Sequence, residues 1–391
     1  MTEFAELAEA RGALEPERTI AALAGAFELW RAPDSPWRAR LSREHEVYSP
    51  EMIEFGVTAA LASWTAETLV RLRARELPDV FAAPRVTAVW LAGSIPPSAF
   101  SAIALPLLAG SAVYAKTSAA DPASARLFAE SLRTLDPGVA AAVRIGADEK
   151  ALDECDAVVA QGNDETIAAI RARVRPARPF LGYGHKLSLA VIGPGVDPAS
   201  AAQSLALDVA LWDGRGCLSP VWALVHDSPR GRAAELAHAL AVALEETEGT
   251  LPRGRLEAAE SADLLELRAR AAVREGTRLE LAAGASSWTV VLESGELRPP
   301  AGMLRFLSVV PFNEVDGLAR FCAPLAPHLS CVGHAGFGGG SARLSALAVA
   351  AGASRLCPLG RMQLPPLDWN HDGQGPLRPL VRGLDVEGSD L

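Results

Sequence analysis

The sequence predicts an α/β protein built on a parallel sheet covered on both faces. Short apolar runs of strand type alternate with helical segments from residue 86 onward, the pattern of strands joined by helical crossovers. Length and composition agree with it: 391 residues, 49% hydrophobic and 21% charged, suffice for two or three domains with real cores. The third observation is the turn Gly214-Arg215-Gly216-Cys217, which sets one thiol between glycine and leucine. A thiol at a glycine turn is accessible and, where its surroundings favour the thiolate, nucleophilic. A small buried residue at a bend would read the same way.

Residues 1–80 read as helical. Arg18–Leu29 and Pro50–Leu77 carry apolar residues at helical spacing, separated by polar, proline-containing links such as Ala32–Arg38. This layer carries no chemistry and is expected to pack on the sheet that begins near residue 86. Strands are expected at Val86–Leu91, Ala112–Lys116, Val143–Ile145, Asp156–Ala160 and Ser188–Ile192, with helices at Ser98–Leu108, Pro122–Leu135 and Asp164–Val174 between them. Sheets of this kind bind ligands at the carboxyl ends of their strands.

A helix from about Ala199 leads into the cysteine turn. Strands are expected at Val221–His226, Ser287–Leu292, Phe306–Val310 and Arg355–Leu359, and helices at Gly231–Glu246, Ala258–Arg274 and Leu344–Gly352. The glycine-rich segment Cys331–Gly340 reads as a loop close to a ligand or another backbone. The remainder, headed by Trp369-Asn370-His371-Asp372-Gly373, is rich in proline and glycine and reads as an extended arm. The expected organisation is a helical segment 1–85, a cofactor-binding domain 86–205, a domain 206–372 bearing the cysteine, and an arm 373–391.

A formal net charge of −10 argues against nucleic acid and against attachment to anionic lipid. No apolar run reaches the length of a membrane span; Ala99–Gly110 is too short and contains Pro106. Met1–Glu9 carries acids where a signal peptide would carry bases. The five cysteines are scattered, with no C-x-x-C pair, which fits reduced thiols in a cytoplasmic protein and suggests no metal site.

No G-x-G-x-x-G fingerprint follows the first strand, so a standard dinucleotide fold lacks its motif. Four features nevertheless occur in an informative order. A strand ends in the small polar loop Ala92–Pro97; another ends in Ala115-Lys116-Thr117-Ser118; a third runs into Gly162-Asn163 and a helix; and Gly182-Tyr183-Gly184-His185-Lys186 precedes the turn Gly216-Cys217-Leu218-Ser219-Pro220. Together with His371-Asp372-Gly373, they resemble the aldehyde dehydrogenase superfamily, and within it the fatty acyl-CoA reductase subunit of bacterial bioluminescence systems and its non-luminous relatives. The resemblance spans roughly residues 86–375. It implies an aldehyde dehydrogenase-like fold of two parallel-sheet α/β domains with an oligomerisation arm.

The resemblance also implies a chemistry. Cys217 takes an acyl group from a CoA or carrier-protein thioester, supplied in turn by an acyl-activating partner enzyme, and NADPH reduces the acyl-cysteine to an aldehyde. Lys116, Thr117, Ser118, Gly162, Asn163 and Gly184 are expected to bind the cofactor. Gly162 lets backbone approach a pyrophosphate, while Asn163 would equally serve as an ordinary helix cap. NADPH is preferred because Ala119 stands where NAD-preferring relatives carry an acid. Ser94 stands where the family places an asparagine oxyanion donor, and His185 is a candidate to donate a proton or hold the thiolate. Phe180–Tyr183 contains no acid to activate water, so an acyl-enzyme would last long enough to be reduced. Two alternatives accompany this reading. A phosphoacyl reductase would need Arg215 for its phosphate, and a non-catalytic scaffold of the same fold would need no reactive thiol. A homo-oligomer is expected.

Overall fold

The computed structural model describes residues 3–282, 287–293 and 304–387. It divides into two compact units, Met1–His45 with Val57–His185 and Pro366–Leu391, and Glu46–Gly56 with Lys186–Pro365. Residues 388–391 of the expected arm lie outside the described residues. Among the described residues no helix is long and apolar enough to cross a membrane.

The first unit holds a five-stranded parallel sheet: β1 (Val86–Trp90), β2 (Ala112–Lys116), β3 (Val143–Gly146), β4 (Ala157–Gln161) and β5 (Phe180–Tyr183). Their spatial order is β3-β2-β1-β4-β5. Every residue of β1 is buried, as a central strand with both faces covered requires. The order reverses between β1 and β4, and such a switch point opens a crevice at the carboxyl ends of the strands. The expected helix Pro50–Leu77 is two helices, Pro50–Leu61 and Ala66–Glu76, because the Thr65 hydroxyl caps the second at Thr68 N (3.2 Å). Helix Pro36–Glu44 begins inside the expected link Ala32–Arg38, where Pro36 is pre-set for a first helical turn. Trp30, Phe100 and Phe128 pack as an aromatic core, with ring centroids 4.6 and 4.9 Å apart. Buried Trp30 donates its indole N–H to Ser131 Oγ at 2.9 Å.

The second unit holds seven strands: β6 (Leu187–Ile192), β7 (Pro220–His226), β8 (Arg278–Leu281), β9 (Thr289–Leu292), β10 (Phe306–Phe312), β11 (Leu329–Ala335) and β12 (Arg355–Pro358). Their order is β12-β11-β6-β7-β10-β9-β8, parallel except for β8, which pairs antiparallel with β9. Alternate residues Leu189 and Val191, Trp222 and Leu224 enter one hydrophobic cluster with Leu318 and Leu344 from covering helices. The segment Cys331–Gly340 is not a loop throughout. Its first half belongs to β11, because Cys331, Val332 and Gly333 pair with both neighbouring strands; only residues 336–340 connect to the next helix.

The arm is tied back by a two-residue ladder, Phe81–Ala82 against Arg382–Gly383. Nearer its head, His371 stacks on Tyr183 at 4.1 Å and on Trp369 at 4.6 Å. A further stretch of the N-terminal helical region belongs to the second unit, where Gly56 lies against the Trp212 ring. A Cβ at residue 56 would stand 2.5 Å from that ring. Gly56→Ala is therefore expected to destabilise the protein by about 1–3 kcal/mol through overpacking, read as a lower urea midpoint with an unchanged slope.

Candidate active site

Cys217 stands three residues before β7, at the amino end of the second sheet. The preceding backbone is unusual. Trp212 (φ 56°), Asp213 (φ 52°) and Gly214 (φ 70°) are three successive residues in the left-handed region. Glycine accepts this freely; for tryptophan and aspartate it costs roughly 1–2 kcal/mol each. The surroundings over-determine it. The Trp212 ring is fully buried and meets Tyr48 edge-on at 5.2 Å, and its backbone N–H points to Met52 Sδ at 3.1 Å. Asp213 is fully buried between Arg215 (3.0 Å) and Arg305 (2.8 Å) and accepts Gly254 N–H at 3.1 Å. A Cβ at residue 214 would crowd the backbone nitrogen of Arg305 at 3.0 Å.

After this kink, Ser219 N–H bonds Gly216 C=O at 3.0 Å and closes a tight turn with Cys217 and Leu218 at its centre. The Ser188 hydroxyl of β6 donates to the Cys217 carbonyl at 2.8 Å and accepts Cys331 N–H from β11 at 3.2 Å. Cys217 is half-buried, while Cys155, Cys322, Cys331 and Cys357 are all buried. Burial pushes the Cys155 thiol up to about 12 and the Cys322 thiol up to about 11. Strained backbone leading into a half-buried cysteine fits a nucleophile turn.

In the first unit the carboxyl ends of β1, β2, β4 and β5 converge. Register sets Trp90 beside Lys116 and Gln161 beside Tyr183. Gly93 has φ +74°, and a Cβ there would meet Ser118 Cβ at 2.7 Å, so the loop carrying Ser94 is pressed against the loop after Lys116. Lys116 lies over the Trp90 ring at 5.7 Å and 3.9 Å from Glu149, whose other oxygen bonds Arg173 at 2.8 Å. Asn163 Oδ1 accepts Thr166 N–H at 2.8 Å and caps helix Asp164–Arg173. Asp164 Oδ1 accepts His185 N–H at 2.7 Å and would lie 2.4 Å from a Cβ on Gly184.

The acyl-CoA reductase (LuxC) family matches residues 39–383. The chain belongs to that family. A long-chain acyl-protein thioester reductase of Photorhabdus laumondii is 27% identical over 140 residues, which cover 33% of this chain and 29% of that protein. The fold is that of the aldehyde dehydrogenases. The structure of an oxidoreductase from Marinobacter aquaeolei matches with a TM-score of 0.77 at 13% identity, over 98% of this chain and 89% of that one. A Mycobacterium tuberculosis aldehyde dehydrogenase complexed with NAD+ matches with a TM-score of 0.74 at 14% identity, over 98% and 90%.

In this LuxC-family chain the expected site residues fall into two sets. Ser94, Lys116, Thr117, Ser118, Gly162, Asn163, Gly184 and His185 all lie on the carboxyl edge of the first sheet, and Cys217 on the amino edge of the second. The rule that ligands sit at carboxyl ends covers the first set and not the thiol. Arg215 is not a phosphate cation. Its guanidinium bonds Glu260 through two nitrogens, at 3.0 and 2.8 Å, and Asp213 through the third. Asn163 is a cap as well as a candidate ligand. Sequence reasoning missed Ser188 and Asp213, which hold the turn. Asp213-Gly214 is a turn signal in its own right; Ser188, alone in an apolar strand, leaves no mark. With one half-buried thiol and four buried ones, the native protein is expected to take up one equivalent of iodoacetamide rapidly, at Cys217. Unfolding should expose all five, and peptide mass mapping reads both.

Proposed function

We propose that this protein reduces an acyl thioester to an aldehyde, using NADPH and an acyl-cysteine on Cys217. The observation that carries the reading is the half-buried Cys217, on a tight turn that follows three left-handed residues, in a chain of the acyl-CoA reductase family.

The carboxyl edge of the first sheet fits a phosphorylated dinucleotide. It offers the Lys116 ammonium, the hydroxyls of Thr117 and Ser118, both half-buried, and a loop of Ala92, Gly93 and Ser94 with no bulky side chain in the way. Gly162 precedes a capped helix whose free N–H groups favour anions. Lys116 and Arg173 flank the Glu149 carboxylate, and exposed Ala119 adds no acid to repel a 2′-phosphate. When bound, the reduced nicotinamide supplies hydride.

Cys217 attacks the thioester carbonyl; a carbon–sulfur bond forms, and the bond to CoA or a carrier thiol breaks. By the family resemblance, the backbone N–H of Cys217 and the Ser94 hydroxyl are the candidate oxyanion donors. Once reduced, the carbon is a thiohemiacetal on Cys217. Its oxyanion collapses to the aldehyde as the carbon–sulfur bond breaks and the thiolate returns, a step that needs no proton; His185 is the candidate to protonate the CoA or carrier thiolate expelled in the first step. No acid stands on Phe180–Tyr183, and Asp164 beside it is engaged by His185 N–H, so water has no dedicated activator there. Acyl phosphate lacks a cation, because Arg215 is committed to Asp213 and Glu260. A non-catalytic scaffold would have no use for a strained turn around an accessible thiol. The exposed Leu384 and Val386 suit the arm to a contact with a second copy of this chain.

Incubation with acyl-CoAs from acetyl to hexadecanoyl is expected to give one acyl adduct per chain, discharged by NADPH. Cys217→Ala should lose about a thousandfold or more of the NADPH oxidation rate; equal rates in both proteins would end this reading. Lys116→Ala should raise the KM for NADPH about tenfold, the loss of one charge-assisted contact, with a much smaller effect on NADH. Steady-state kinetics with both cofactors checks it.

A further inference from the structure

Beyond Cys217 itself, one buried polar side chain reaches the turn from far along the chain. Gln363 follows β12 and is 3% exposed. Its amide nitrogen donates to Leu211 C=O at 2.8 Å and to Asp208 C=O at 3.2 Å, and it also contacts the Ser219 hydroxyl. Its amide oxygen lies on the other side, where a Cβ on Gly216 would stand 2.6 Å away. One amide therefore touches residues on both flanks of Cys217. The loop bearing it is bolted to the same helix. Buried Asp208 accepts Gly360 N–H at 2.6 Å and Met362 N–H at 2.9 Å.

We propose that Gln363 is a positioning residue for the Cys217 nucleophile, setting the turn from Leu211 to Ser219 so that the sulfur meets its electrophile in one geometry. The proposal rests on Cys217 being the nucleophile. The chemistry of the amide explains why no other side chain of this size serves. The two N–H bonds of the amide serve the Leu211 and Asp208 carbonyls, with the Ser219 hydroxyl beside them, and methionine has no donor to offer. Glutamate would aim a negative charge at those same oxygens, close to a developing thiolate. Gly216 is required for the same reason, since a side chain there would displace the amide oxygen.

The test compares Gln363→Met and Gln363→Glu with the wild type, using two probes on the folded proteins. Acyl transfer from an acyl-CoA demands exact alignment of the sulfur, whereas iodoacetamide, being small, reads only thiolate and access. In Gln363→Met, single-turnover acylation is expected to fall at least tenfold, while alkylation by iodoacetamide and the KM for NADPH stay within twofold. In Gln363→Glu both acylation and alkylation should slow at least fivefold. A merely structural glutamine would lower the melting temperature and leave these rates in the folded protein unchanged, and wild-type rates in either variant overturn the proposal. Should neither variant fold, Ser219→Ala decides, since it removes only the hydroxyl partner: a threefold or greater loss of acylation supports the proposal, and no loss overturns it. If the wild type itself takes no acyl group from any CoA, the reductase reading falls. The alkylation rate of Gln363→Glu then judges the positioning role alone, slowed if Gln363 governs the sulfur and unchanged if it does not.

Discussion

The Asp213 carboxylate, fully buried between two guanidiniums, is the interaction on which the candidate site depends. It fixes a backbone stretch that tryptophan and aspartate would otherwise avoid. Around it the charges balance. Arg215, Arg253 and Arg305 face Asp213, Glu248 and Glu260, and burial draws Arg253 down only to about 10, so it stays cationic near neutrality. Removing one member of such a set leaves an uncompensated buried charge, at a cost of roughly 3–5 kcal/mol. That penalty is at least of the size of the cost of the two left-handed residues, about 2–4 kcal/mol together, so the charge set offsets the strain of the turn.

The two sheets use opposite ends. In the first, the chain reverses its winding between β1 and β4, and every candidate cofactor residue falls at the carboxyl edge near that reversal. In the second, backbone bridges the carboxyl ends of β6 and β11, beside a cavity lined by Val196, Ser200, His334, Phe337 and Leu359. Gly193 N–H bonds Ala335 C=O and Gly195 N–H bonds Gly336 C=O, and a Cβ on Gly193 would lie 2.5 Å from that carbonyl oxygen of Gly336. The thiol sits at the other edge, where the strands begin and where a kink, rather than a helix terminus, presents it.

Most of the architecture was legible because parallel strands buried on both faces leave continuous apolar runs, as at Val86–Trp90 and Pro220–His226. Legibility failed where glycine has two meanings. Gly333 looked like a loop residue, yet it is a strand residue whose missing side chain makes room for Met362. It also failed for β5, where Gly182 interrupts a short run, and for β8, a half-exposed edge strand with charges at alternate positions. Of the site, Cys217 and the edge residues were readable because turns and strand ends carry local signals. The role of Ser188 was not, because what it holds lies 29 or more residues away, and Asp213-Gly214 signals a turn but not the Arg305 and Gly254 partners that fix it. Arg215, which the phosphoacyl alternative would need, stands two positions from the thiol in sequence, but its guanidinium turns to Glu260.

The Ser188 hydroxyl joins Cys217, 29 residues on, to Cys331, 143 residues on. Synthesis runs from the N-terminus, so the thiol leaves the ribosome long before the strand that completes its support. A nascent or truncated polypeptide ending short of β11 would thus carry the sulfur without its frame, and chemical competence would arrive only as the last third of the chain docks.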